Sequence, residues 1–458
     1  MDVQAKLTNG HQYFEATSTE VNGELGMENG PLVPVKIDNV TANTVNNKKR
    51  PVTDWLLLLI CCMCNFLLVG YSYGIAVLFL DMKWTFGSSR ADTSLIQSMN
   101  NGLMFGGGII SSFITSVMGI GDAFSISALV ASLAAIGGFV FEKLPLVILS
   151  VGAIGGLALC VMFTSLFIVI GRVFKDKYNM ALSCLLLGGG IGSFVFPNVN
   201  AVLLENYGWR GTFLILGGVI LNTLPVGLLI RSLLSTNTTA TGSIKKRCLD
   251  SQFFQSHISL WRDPLFVTSI LCLILRSVPI GLVTFFMLDI AEYKQFDLST
   301  GSLFLSVVGF GNLSGRFLAL LTRPIMKVSP VKEYALYIMF SGLAIFGLAV
   351  ADSYVNILAA CICFGLAYGM IASTAATTVF FIASEEHYPS ALGIFNTGMG
   401  IGFGIAGPIG GAIKDSVDSY TYVLFGFATV SSFSGILLMT VACCFQKFRR
   451  VNTDREIT

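Results

Sequence analysis

Twelve runs of apolar residues, separated by short polar punctuation, constrain this chain more than any other feature. They fall at 54–80, 94–117, 123–141, 146–170, 179–203, 211–231, 264–288, 300–321, 333–351, 356–381, 390–413 and 420–445. Each is close to or above the roughly 20 residues that a helix needs to cross a bilayer. Backbone groups in hydrocarbon must be satisfied within the segment, so runs of this length predict helices. The expected fold is an all-α membrane protein with twelve transmembrane helices. Most connections are short, which makes consecutive helices antiparallel neighbours. The longest, 232–263, divides the spans six and six.

Five regions follow from this pattern. Residues 1–53 form a polar tail, expected to be disordered and cytosolic because it lacks the apolar core of a secretory signal. Residues 54–231 and 264–445 form two six-helix bundles, 232–263 a cytosolic linker, and 446–458 a basic cytosolic tail. In the linker, Phe254, Ile258 and Trp261 stand at helical spacing, which predicts a short helix lying on the inner membrane surface. Charged residues make up only 12% of the chain and mean hydropathy is +0.75, values foreign to a soluble domain. With the N-terminus inside, the outer loops hold only Lys83, Arg90, Lys143, Arg210, Lys294 and Lys414. Nearly all the other Lys and Arg fall on the inner side, which places both termini in the cytosol. None of the 11 cysteines falls in an outward loop, so no disulfide framework is expected.

Two cations break the apolar pattern. Arg276 lies in the middle of the seventh span and Arg316 near the inner end of the eighth. Such a charge costs about 2.5–3.5 kcal/mol at a helix centre on insertion scales. No Asp or Glu lies deep in a span to meet them: Asp54, Asp81 and Asp289 are at span ends. Arginine stays ionised and offers a planar fork of donors that matches a carboxylate. The missing partner is therefore expected to arrive as the substrate, a small organic anion. Snorkelling of Arg316, and backbone hydrogen bonds to Arg276, are the structural alternatives. Asn312 stands one helical turn before Arg316, on the same face. Tyr71, Tyr73, Asn100, Asn101, Asn198, Tyr368 and Asn396 are further candidates to line the substrate path, each with interhelical bonding as its alternative role. There is no HExxH, no Gly-x-Ser-x-Gly elbow and no phosphate loop, so neither an enzyme nor a cofactor is expected. Nothing in the sequence points to nucleic acid.

The two halves echo each other. The fifth span reads ALSCLLLGGGIG from Ala181 and the eleventh ALGIFNTGMGIG from Ala391, each with Gly seven residues after the Ala. This is similar to the duplicated plan of the major facilitator superfamily, in which substrate binds between the halves. Closer motifs resemble the monocarboxylate transporter family, solute carrier family 16. NYGWRGTFLILGGVILN (206–222) resembles its fifth-to-sixth span junction. VFKDKYNMALSCLLLGGGIG resembles its fifth-span signature, with Phe174, Lys175, Lys177, Ala181, Gly188 and Gly192 in register, Met180 for a Leu and Ser183 for a Gly. SSRADTSLIQS (88–98) resembles the start of the second span, with Leu95 for a Trp, and GNLSGRFLAL the eighth-span segment whose Arg binds the carboxylate. The resemblance gives that role to Arg316. It implies a plasma-membrane carrier of monocarboxylates working by rocker-switch alternating access, and a single-span immunoglobulin-like partner subunit. The chain departs from the proton-coupled lactate carriers at two positions: their eighth-span Asp is Asn312 here, and the position of their first-span Lys matches Val77. A facilitative or weakly coupled carrier is expected. A carrier of aromatic or other larger amino-acid-like solutes, and a non-transporting carboxylate sensor with the same fold, are the alternatives.

Overall fold

The computed structural model describes residues 51–174, 177–235 and 260–457. Most of the N-terminal tail lies outside these residues. So does most of the linker, including Phe254 and Ile258 of its expected surface helix. Among the described residues the chain is helical, without strands. The spanning helices are α1 (Asp54–Phe86), the bent α2 (Arg90–Gly106 and Gly108–Met118), α3 (Ile120–Val140) and α4 (Leu144–Val173). The 55-residue stretch Met180–Leu234 breaks at Gly208 into α5 (180–207) and α6 (209–234). The rest are α7 (Pro264–Phe285), α8 (Leu298–Arg323), α9 (Pro330–Val350), α10 (Tyr354–Ala383), α11 (Ser390–Val417) and α12 (Tyr420–Cys444). All twelve expected segments are present.

Local sequence sets the ends and the breaks. Ser89, Asp297 and Ser353 cap α2, α8 and α10 by accepting from the amides of Asp92, Thr300 and Asn356, which satisfies first-turn donors that have no helical partner. At Gly208 the backbone turns to φ 66°, ψ 174°, a conformation open to glycine and strained for other residues. In α4, a π-helical stretch at Ile148–Ile154 loosens the regular ladder. There the Val151 carbonyl accepts from Asn100 Nδ2 at 2.8 Å.

Small residues bring helix backbones together. A Cβ added at Gly188 or Gly192 of α5 would stand 2.3 Å from the Cys62 or Phe66 carbonyl oxygen of α1. The equivalent glycines of α11, Gly398 and Gly402, pack against Leu273 and Ser277 of α7. The sequence echo is thus matched by equivalent packing, α5 on α1 and α11 on α7. Two further seams join the first six helices to the last six. Along α2 and α11, Gly102 and Gly106 meet Gly404 and Gly400, and the Gly407 amide donates to Ser98 Oγ at 3.0 Å. Along α5 and α8, Gly309 meets the Ser193 carbonyl and Gly190 meets Leu313. The α2–α11 seam ends near Gly107, where α2 bends by 59°. Outward-facing Ile109, Phe113, Leu133, Leu343 and Val355 are among the exposed apolar side chains, as lipid-facing positions require.

Candidate substrate site

The site is built around α8. Arg316 is half-buried there. Its Nε donates to Asn312 Oδ1 at 3.0 Å, one turn back, and its Nη1 reaches the Leu186 carbonyl of α5 at 3.4 Å. The guanidinium thus leans across the α5–α8 seam instead of running out along the helix to the surface. It has five N–H donors, of which these bonds use two. Among the described residues no carboxylate stands within ion-pair distance of it.

Gly369 of α10 brings in the next group. A Cβ there would lie 2.0 Å from the Asn312 carbonyl oxygen, so only glycine lets α10 sit this close to α8. The neighbouring Tyr368 then meets Tyr73 of α1, hydroxyl to hydroxyl, at 2.5 Å. Both hydroxyls lie within electrostatic reach of Arg316. Tyr73 also lines a narrow pocket with Gln97, Asn101, Thr284, Phe285 and Phe403, drawn from α1, α2, α7 and α11. Phe403 continues into a chain of rings, 6.1 Å from Phe285 and 5.6 Å from Phe105, which is itself 5.8 Å from Phe163. Cation, hydroxyls, amides and rings therefore share the contact zone between the two sets of six helices.

The other candidates are placed differently. Arg276 is 2% exposed and joins none of these contacts. Its Nε donates to Tyr334 Oη at 2.8 Å, its guanidinium lies 5.5 Å from the Tyr334 ring, and that ring packs on Phe395. A desolvated cation on an aromatic face gains on the order of 2 kcal/mol, which offsets part of its burial cost. Asn100 is bonded within the first six helices, accepting from Ser72 Oγ at 2.8 Å and donating to Val151. Asn101 lines the pocket and donates to the Gln97 carbonyl at 3.2 Å. Tyr71 is buried without a hydrogen-bond partner for its hydroxyl, Asn198 is exposed, and Asn396 is half-buried on α11.

Some polar residues escaped the reading of the sequence. Gln97 precedes Asn101 by one turn, a spacing that puts both on the pocket face. Asn200 is fully buried, both of its amide atoms lack partners, and its Nδ2 abuts Gly74. It continues the line of Gly188, Gly192 and Phe196 that packs on α1; following that line would have selected it over Asn198. Glu333 is 2% exposed at the first turn of α9, accepting from Tyr337 Oη at 3.0 Å and Arg323 Nε at 3.3 Å. Outside the spans, the Lys414 ammonium at 2.7 Å holds the Asp418 carboxyl below its ordinary pKa, and hydrogen bonds from Ser299 and Thr300 do the same for Asp297.

Comparison with known proteins gives three kinds of likeness. Residues 58–388 match the family model described as Major Facilitator Superfamily. The chain is 24% identical to monocarboxylate transporter 6 of Homo sapiens, over 81% of this chain and 76% of that protein. It is 25% identical to monocarboxylate transporter 4 of Rattus norvegicus, over 86% and 84%. In fold it is similar to a crystal structure of a mutant of the peptide transporter POT in complex with sulfate, with a TM-score of 0.68 and 13% identity over 84% of this chain and 94% of that one.

Proposed function

This chain belongs to the Major Facilitator Superfamily, and on that footing we propose that it carries small organic anions, most simply monocarboxylates, across the plasma membrane by alternating access. One observation carries the reading: Arg316, at the contact between the halves, has donors to spare and, among the described residues, no carboxylate to neutralise it. The halves, 54–231 and 264–445, rock about this point. Water hydrates the guanidinium when the path is open to either side. A bound carboxylate lowers the cost of occluding it, so substrate favours the closed intermediate and the transition between open states. Similarity to named monocarboxylate transporters supports the substrate class.

Asn312 takes up no proton, and among the described residues the Arg316 cluster contains no carboxyl group. The carrier is therefore facilitative, or only weakly coupled to protons. The charge bias of the loops puts both termini in the cytosol and the Arg90 end of α2 outside. The ring chain from Phe285 to Phe163 favours a second reading for the substrate, an acid with an aromatic or other large apolar body. A single-span immunoglobulin-like partner belongs to the proposal by family resemblance. The test is counterflow of radiolabelled monocarboxylates, aromatic acids and amino acids into proteoliposomes at two pH values. Saturable exchange of a carboxylate is the expected result. Binding without flux would replace the carrier with a sensor, and neither binding nor flux would overturn the anion reading.

A further inference from the structure

The charged residues farthest from Arg316 along the α2–α11 seam form a second interhelical cluster. Arg90, at the first turn of α2, faces two carboxylates from the last six helices. Asp289 sits in the short helix Met287–Tyr293 that follows α7, and Asp415 lies near the end of α11. Arg90 Nε donates to Asp289 Oδ2 at 2.6 Å and Nη2 to Oδ1 at 3.3 Å, a bidentate contact. Arg90 Nη1 reaches Asp415 Oδ1 at 3.2 Å, and the Arg90 backbone amide donates to Asp415 Oδ2 at 3.0 Å. Asp415 thus also meets a free amide at the positive end of the α2 dipole. The Asp289 carboxylate is 2% exposed and accepts a second donor, the buried Tyr420 hydroxyl of α12. Lys414 Nζ lies 5.3 Å from the Tyr420 and Tyr293 rings and is occupied by Asp418.

We propose that Arg90 is the latch of the outer gate, the positioning residue that holds the α2 end of the first half against Asp289 and Asp415 of the second. The inference rests on the alternating-access reading and adds a named closing device to it. The arrangement is asymmetric. When the outer ends part, Asp289 keeps the Tyr420 hydroxyl and Lys414 keeps Asp418. Arg90 and Asp415 lose their partners, and at 22% and 30% exposure both side chains already touch solvent. Opening therefore leaves Asp289 its phenol donor and Asp415 its contact with solvent, so neither carboxylate is left dry and unpartnered, the costly outcome when a buried pair is broken. Closing recovers a forked, charge-assisted contact whose geometry Lys cannot reproduce.

A cysteine reporter in the seam separates gating from folding. Ser94 is 1% exposed and packs one turn from Arg90 against Gly407. In intact cells, Ser94→Cys is treated from outside with a membrane-impermeant thiol reagent, in the full chain and at matched surface amount. Arg90→Gln is expected to raise the labelling rate on the order of tenfold, corresponding to about 1.4 kcal/mol. Arg90→Lys should raise it less, Asp415→Asn should raise it modestly with the Asp289 pair still in place, and the charge exchange Arg90→Asp with Asp289→Arg should return it toward the starting rate. Labelling unchanged within twofold in both Arg90→Gln and Asp415→Asn overturns the latch, as does an exchange variant no better than its single components. Labelling needs no knowledge of the substrate, so a failed carboxylate assay with a responsive reporter removes the substrate reading and leaves the gate.

Discussion

Replacing Arg316 by Gln removes the charge while keeping a planar amide of similar reach. In the structure the guanidinium spends two donors on Asn312 and Leu186 and keeps the remainder for a ligand. A carboxylate about 4 Å from a unit positive charge gains about 4 kcal/mol at an effective dielectric of about 20. Stripping water from the entering carboxylate consumes part of this. Hydrogen bonds to charged groups contribute about 1.5–3 kcal/mol net, and a net loss of 2–3 kcal/mol corresponds to roughly 30- to 150-fold. Initial-rate uptake at low substrate in proteoliposomes, normalised to inserted protein, should fall by that factor in Arg316→Gln. Arg316→Lys should fall less, because it keeps the charge and loses the fork. Uptake within threefold of the native protein in Arg316→Gln, with the melting temperature in detergent unchanged, would refute the assignment.

Three more outcomes are expected. Asn312→Asp places a carboxylate beside Arg316 that competes with the substrate for the guanidinium; uptake at low substrate should fall and become pH-dependent, rising where the new carboxyl is protonated, against a flat profile for the native chain, in a pH-jump flux assay. Gly369→Ala drives a Cβ into the Asn312 carbonyl, so α10 must move off α8 at a cost of about 1–3 kcal/mol, read as a lower melting temperature together with lost uptake. The Asp418 carboxyl is held below its ordinary pKa by Lys414. Its contribution to stability is therefore complete above about pH 4, the unfolded value, and disappears as pH falls through the lower folded value; the melting temperatures of native and Asp418→Asn protein should differ at pH 7 and converge in strong acid.

The helices were legible because lipid leaves the backbone so few choices: length and apolarity alone predict each span. The glycine echo between Ala181 and Ala391 was legible too, since small residues spaced by one turn report helix contact without naming the partner. Arg316, Asn312, Tyr73 and Tyr368 stood out as polar groups in apolar runs, and the structure brings them together. Arg276 stood out for the same reason, yet its buried contact is with the Tyr334 ring, and no charge pattern announces a cation that rests on an aromatic face. Asn198 and Asn200 differ by two residues and face different surroundings, which is a matter of helix rotation. The Arg90 cluster joins residues about 200 and 325 positions apart, and interhelical register of that kind is not written in a single sequence.

At its centre the α2–α11 contact is main chain on main chain, Gly102 and Gly106 against Gly400 and Gly404, with a serine hydroxyl bonded across it and the Phe105 and Phe403 rings beside it. Such a joint works as a plain bearing: where glycine meets glycine, no side chain must be withdrawn before the faces part. The same bareness leaves little clearance, because a methyl added at Gly102, Gly106 or Gly400 would stand 2.9, 3.2 or 2.3 Å from backbone, which cannot turn aside. Ease of motion and intolerance of mutation are here two results of one surface, and the residues that permit movement are those least able to change.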